Sequence, residues 1–227
     1  MSYCLYFYVG HPFRNKLCFE RLVRRFSKNL IYDFDDSVFL DSNTPESMNL
    51  GLSGVTRKSR YLISYADRVI LSSPYNLEFC LETNFKKQAV YIPCSIDTDR
   101  FKEKKQVNED QKVVIGWTGT FSSIPYLDSL KEALLRLSQE VPYKLLLITN
   151  FDYSFKEVDL EVSQWNRDTE IEDLHSIDIG IYPVTLDQWA LGKGGLKVIQ
   201  YMSIGVPSVA TNYGTACDII EDGVNGF

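Results

Sequence analysis

Two lysines, Lys193 and Lys197, stand four positions apart in the stretch Asp187-Gln188-Trp189-Ala190-Leu191-Gly192-Lys193-Gly194-Gly195-Leu196-Lys197. The stretch follows a strand pattern and precedes a helical one, which puts it at the carboxyl end of a sheet, where α/β proteins bind ligands. On a helix start the two side chains would face the same way. Two cations there oppose the helix dipole unless an anion lies between them. A diphosphate resolves that conflict; a solvated loop with surface lysines is the alternative.

A second candidate is the turn Gly116-Trp117-Thr118-Gly119-Thr120-Phe121-Ser122-Ser123. A strand leading through glycine and hydroxyl residues into a helix start offers backbone N–H groups to a phosphate, and Gly119 permits close approach. It is neither a dinucleotide fingerprint nor a P-loop, and a tight turn capped by Ser122 or Ser123 accounts for it equally. Asp33, Asp35 and Asp36 end the short run Leu30–Phe34. Clustered carboxylates there can hold a divalent metal or a hydroxyl-rich ligand, or serve as caps and loop charges. Of the two histidines, His175 falls within a helical pattern and reads as structural, while His11 lies in a loop. No Ser-His-Asp or Cys-His set assembles.

The elements that must position these residues alternate. Short apolar runs at 30–34, 69–71 and 89–93 read as buried strands, with helical patterns at 15–28 and 45–66 between them. Residues 98–111 are polar and charged, with no apolar face worth burying, and read as a linker. Strands are then expected at 112–117, 143–149, 158–164, 178–184 and 206–211. Helices are expected at 122–141, 167–177, 196–203 and from 216. Alternation of this kind predicts parallel sheets flanked by helices, in an α/β chain with a partial N-terminal domain at 1–97 and a second domain at 112–227.

The chain has 227 residues and a net charge of −6, with 12 basic and 10 acidic groups in 1–97 and 12 against 20 in the remainder. The acidic second half argues against nucleic acid as a partner. The basic cluster Arg14, Lys16, Arg21, Arg24, Arg25 and Lys28 interleaves with Leu17, Leu22, Val23 and Phe26. That pattern suits an amphipathic helix on an anionic membrane surface, or a solvated basic face. No apolar run reaches the length of a membrane span, and the N-terminus has no signal-peptide pattern. The five cysteines form no CxxC pair and read as small buried hydrophobes in a reducing, cytoplasmic compartment.

In order along the chain come Ile31-Tyr32-Asp33-Phe34-Asp35-Asp36, Ala66-Asp67-Arg68-Val69-Ile70, Ile92-Pro93-Cys94-Ser95-Ile96-Asp97, Ile115-Gly116-Trp117-Thr118-Gly119 and Asp178-Ile179-Gly180-Ile181-Tyr182-Pro183. Gly192-Lys193, Lys197–Met202, Gly205-Val206-Pro207 and Asp218–Gly226 follow. Together these segments resemble the group 1 (family 4-like) glycosyltransferases of GT-B architecture, over about residues 30–227. The resemblance implies two Rossmann-like domains, the N-terminal one incomplete, in a chain short at both ends. It also implies transfer of a sugar from a nucleotide-sugar donor to a glycan or lipid-linked acceptor, retaining and without metal or other cofactor, in surface polysaccharide biosynthesis at or near the inner face of the membrane.

Carried over by position, Lys193 and Lys197 would neutralise the leaving diphosphate as catalytic residues. Gly119, Thr120, Trp165, Gly192 and Gln200 would line the donor, with Trp165 near the base, and Asp35 and Asp36 would face the acceptor. Many members carry two glutamates seven residues apart where this chain has Gly192 and Gln200; an amide still hydrogen-bonds a hydroxyl but carries no charge. The alternative reading is a non-catalytic nucleotide-sugar-binding or partner-binding remnant; a sugar-nucleotide epimerase stands third.

Overall fold

The computed structural model describes residues 17–40, 53–104 and 112–227. His11, Cys4, Arg14, Lys16, the first part of the helix expected at 45–66 and positions 105–111 of the expected linker lie outside the described residues. The chain forms two compact units, the first of residues 1–94 with 186–194 and the second of residues 95–185 with 195–227.

In the first unit, α1 (Cys18–Phe26), β1 (Ile31–Phe34), α2 (Ser53–Tyr65), β2 (Arg68–Leu71), α3 (Pro74–Thr83) and β3 (Ala89–Tyr91) follow one another. The three strands pair in parallel in the order β1-β2-β3. The run Leu30–Phe34 buries Leu30, Tyr32 and Phe34 against Leu62, Ile63, Val69, Leu71 and Cys80. Helix α3, which hydrophobic periodicity alone does not reveal, has a clear start signal. Ser73 accepts the Asn76 N–H at 3.2 Å and Pro74 opens the first turn.

The second unit holds β4 (Val113–Gly119), α4 (Ile124–Asp128), α5 (Lys131–Glu140), β5 (Tyr143–Thr149), β6 (Leu160–Gln164), α6 (Glu170–His175) and β7 (Ile179–Tyr182). The chain then contributes the single turn α7 (Gln188–Leu191) to the first unit. It returns with α8 (Leu196–Ser203), β8 (Ser208–Ala210) and α9 (Ala216–Ile219). All pairings are parallel, in the order β6-β5-β4-β7-β8. One core lies around Trp117, Leu145 and Leu147, another around Ile148, Ile177, Tyr201 and Ile204.

Three expectations are corrected. The helix expected over 122–141 is a 3-10 turn (Phe121–Ser123) followed by α4 and α5, broken at Ser129, whose hydroxyl bonds the Tyr126 carbonyl at 2.6 Å. The segment read as lacking an apolar face buries Phe101, only 5% exposed, in the second unit's core. The cysteines are not uniformly buried: Cys80 is buried, Cys94 half-buried, and Cys18 and Cys217 are exposed thiols.

Candidate functional site

Each sheet presents its carboxyl edge as the place where loops gather, and the residues singled out by sequence fall there. In the first unit Asp35 and Asp36 follow β1, Ser72 follows β2 and Cys94 follows β3. Ser72 Oγ donates to Asp35 Oδ1 at 2.7 Å. Asp36 sits in the left-handed region at φ 54°, a conformation that a short polar side chain tolerates better than most.

Lys193 reaches the same edge and lies 3.4 Å from Asp36 Oδ1. Burial pushes the Asp36 carboxyl above its usual range, Lys193 pulls it back, and Asp35 adds to the rise. The α7 turn that carries Lys193 in is capped by Asp187, which accepts the Ala190 N–H at 2.8 Å. Gly192 lies so close to Ser37 that a Cβ there would stand 2.0 Å from its Oγ and 2.8 Å from its backbone nitrogen. The Gly192 carbonyl accepts from Asn76 Nδ2 at 3.4 Å. A glutamate at 192 is therefore excluded by packing, which gives the Gly192 departure a steric cause.

In the second unit the strand order reverses direction at β4, with β5 on one side and β7 on the other. The crevice beyond the carboxyl ends of such adjacent strands is where doubly wound sheets take ligands. Gly119 ends β4 there and Thr120 follows, its hydroxyl 3.0 Å from that of Ser122. Gly119 has room for no side chain, because a Cβ would meet the Trp117 ring at 2.4 Å. Neither Ser122 nor Ser123 caps a helix with its side chain.

After β7 the chain enters α8 through Gly195, at φ 72°, so the helix begins at Leu196. Lys193 thus lies before the helix and the expected same-face pairing of Lys193 with Lys197 along one helix does not occur. Lys197 is half-buried in the first turn of α8 and has no hydrogen bond or ion pair among the described residues. Burial pushes its ammonium below the usual lysine range, partly offset by Glu170.

Glu170, at the start of α6, was not singled out by sequence, yet it joins two residues that were. Its Oε1 accepts Trp165 Nε1–H at 3.2 Å and the Gln200 amide at 3.5 Å, and its Oε2 accepts Arg100 at 2.8 Å. Gln200 is buried and its Oε1 has no hydrogen-bond partner among the described residues. The signal available in the sequence was only a carboxylate in a helix's first turn, which capping explains as well. His175, in the last turn of α6, bonds the Lys102 carbonyl at 2.8 Å. Among the described residues no three His, Cys, Asp or Glu side chains gather as a metal-binding group.

The family profile for glycosyl transferases group 1 matches residues 112–227, just over half of the chain. The chain belongs to the group 1 glycosyltransferases. No curated protein matches it. Among solved structures, this glycosyltransferase chain is similar to HepE of Anabaena in complex with UDP and glucose. The identity is 17% and the TM-score 0.61, over 88% of this chain and 57% of that one. Sucrose-phosphate synthase of Thermosynechococcus elongatus gives 16% identity and a TM-score of 0.65, over 92% and 56%. WaaG, a glycosyltransferase of lipopolysaccharide biosynthesis, gives 11% and 0.60, over 92% and 66%. The chain thus spans somewhat over half the length of the first two. At these identities the likeness is one of fold, and that fold is GT-B, with parallel β/α units.

Proposed function

We propose that this group 1 glycosyltransferase chain binds a nucleotide-diphosphate sugar and transfers the sugar to a hydroxyl of a glycan or lipid-linked acceptor. The observation that carries the reading is Lys197, a half-buried cation in the first turn of α8 that no described residue pairs. Burial and the helix dipole both disfavour its charge, and an anion at the carboxyl edge of β4 and β7 relieves both. As the glycosidic C–O bond of the donor breaks, charge develops on the diphosphate. A cation already in place stabilises the transition state more than the ground state.

In this reading Lys197 of the second unit neutralises the leaving diphosphate. Gly119 and Thr120 of the same unit approach it, while Trp165 and Gln200 border the donor. In the first unit, Asp35 and Asp36 serve the acceptor. The chemistry then needs no metal, because a lysine supplies the positive charge, and retention is the stereochemical outcome that the family implies. The likeness of fold to WaaG, a glycosyltransferase involved in lipopolysaccharide biosynthesis, supports a role in surface polysaccharide assembly in the cytoplasm, at the inner membrane face. Among the described residues no helix is long and apolar enough to cross a membrane.

The test is a thermal-shift screen against UDP-, GDP-, CDP- and dTDP-sugars. Ligand at about 100 times its dissociation constant stabilises a binder by about 2.7 kcal/mol. A shift with one base that disappears in Lys197→Ala supports the donor site; a shift unchanged in that variant overturns the role given to Lys197. A second reading, a non-catalytic nucleotide-sugar-binding or partner-binding remnant, is favoured by Gly192 and Gln200 standing where many relatives carry glutamates. Sugar transfer by the chain alone disposes of it.

A further inference from the structure

The opposite edge of the first unit's sheet has a different character. The segments that lead into its three strands, Arg24–Asn29, Tyr65–Arg68 (whose last residue opens β2) and Phe85–Gln88, hold six basic residues against one acidic residue, Asp67. That carboxylate is occupied. It accepts Arg24 at 3.4 Å and the Leu30 N–H at 2.6 Å and forms an ion pair with Lys86. By joining α1 to the loop before β3, it gathers the three segments into one surface.

The same surface holds large apolar groups out in water. Phe26, at the end of α1, is 75% exposed and Phe85 is 70% exposed. Leu22, one helical turn before Phe26, is half-exposed and lies on the same outward face as Arg21 and Arg25, opposite buried Glu20. The display of Phe85 is built into the backbone. Asn84 is fully buried; its Oδ1 accepts the N–H groups of Lys86 and Gln88, both at 3.0 Å. Its Nδ2 donates to the carbonyls of Ile63 at 2.7 Å and Ala66 at 3.0 Å. The Phe85 N–H is bonded to the Ser64 carbonyl at 3.1 Å, and its ring stands edge-on to Tyr65 at 5.0 Å. Two phenylalanines held outward among lysines and arginines form an unfavourable surface in water. Together they match the boundary of an anionic bilayer, where rings enter the acyl region and cations stay with the headgroups.

We infer that the surface made by the outward face of α1 and the loops before β2 and β3, with Phe26 and Phe85 as anchors and Arg25, Lys28, Arg68 and Lys87 around them, docks onto an anionic lipid bilayer. The surface lies at the end of the sheet remote from Asp35 and Asp36, so docking leaves the carboxyl edge of this unit free. The inference is independent of whether the donor site works.

The experiment is vesicle flotation of the full chain with phosphatidylcholine alone and with about 30 mol % phosphatidylglycerol, at low and high salt. The expected result is binding to the anionic vesicles that weakens with salt. It falls at least about tenfold in Arg25→Glu/Lys87→Glu and also in Phe26→Ser/Phe85→Ser, all exposed positions that leave the urea midpoint in place. Equal binding to neutral vesicles, no binding by the folded parent, or charge-reversed binding equal to the parent's would each overturn it. Loss on charge reversal with no loss in the Phe26→Ser/Phe85→Ser variant would also overturn it, pointing to an acidic protein as the partner of this face.

Discussion

Lys193 and Asp36, separated by 157 positions, meet at 3.4 Å within the first unit, although the strands on either side of Lys193 in the chain, β7 and β8, belong to the second. The pair stands beside Asp35, and burial raises the Asp36 carboxyl above its usual range in spite of the lysine. A carboxyl whose pKa is raised on folding binds its proton more tightly in the folded chain. Its contribution to stability is whole below the ordinary carboxylate range and is lost as pH rises through the raised value. Asparagine tolerates the left-handed backbone at 36, and an ion pair at 3.4 Å whose partners are both partly reached by water contributes about 0–1 kcal/mol. Asp36→Asn is therefore expected to be at least as stable as the parent near neutrality, to within about 1 kcal/mol, and to show a flatter stability curve through the weakly acidic range. On the proposal that Asp36 faces the acceptor, sugar transfer is expected to fall as well. Urea midpoints across pH check the first half, and a variant clearly less stable at neutral pH would refute it.

Glu170 is expected to govern the charge of Lys197. Burial lowers the lysine and Glu170 is the group that raises it. Removing that carboxylate in Glu170→Gln should push the ammonium lower still. Anion binding that depends on the ammonium fails as pH rises through its pKa, so donor binding should be lost at a lower pH in the variant than in the parent. The same change removes the negative charge opposite Arg100 at 2.8 Å and leaves Arg100 its bond to the Arg167 carbonyl, also at 2.8 Å. With Arg100 partly in water, the expected loss of stability is about 1–2 kcal/mol. Calorimetric titration of the nucleotide against pH reads the first effect. An unmoved profile would show that Glu170 does not act on Lys197.

The packing of α8 on β4 and β7 rests on Tyr201, fully buried, whose hydroxyl oxygen accepts the Thr118 N–H at 3.2 Å. Burial raises its pKa far above the usual tyrosine range, so it stays neutral. Tyr201→Phe leaves that N–H unpaired in the sheet and should cost about 1–3 kcal/mol. Gly180→Ala puts a Cβ 2.5 Å from the same ring and should cost a comparable about 1–3 kcal/mol by overpacking. Because both changes act on one ring, the double variant should cost less than the sum. Denaturation midpoints decide this, and strict additivity would count against a shared cause.

Thiol chemistry offers an independent check of the burial pattern. Burial pushes the Cys80 thiol up to about 12, whereas Cys18 and Cys217 are exposed. Only the thiolate alkylates. Iodoacetamide at neutral pH should therefore label Cys18 and Cys217 in the folded chain and reach Cys80 only on unfolding, as peptide mass spectrometry would report. Early labelling of Cys80 would contradict the packing of α3 on the first core.

Much of this arrangement is legible in the sequence because each strand is a short apolar run. The runs at 30–34, 69–71 and 143–149 became β1, β2 and β5, and Leu196–Ser203 became α8 to the residue. Helix α3 was not legible from periodicity, since both Asn76 and Cys80 face inward and blur its stripe. Its Ser73-Pro74 start was the usable signal. The helix over 122–141 failed where a serine hydroxyl competes for a backbone carbonyl, an effect that leucine spacing does not register. Of the site, glycines and lysines were found because they break local rules. Glu170 broke none and shows its part only once the fold brings Trp165, Gln200 and Arg100 to it.

The excursion of residues 186–194 into the first unit bears on how such chains can be recombined. A hybrid made by joining residues 1–97 to the second half of another family member would receive, opposite Asp36, whatever cation or void the donor sequence carries at 193. It would also receive whatever bulk that sequence places at 192, where Ser37 leaves no space for a Cβ. The two halves are thus not interchangeable cassettes: specificity grafts that respect the unit boundary must transplant nine residues from the far half along with the near one.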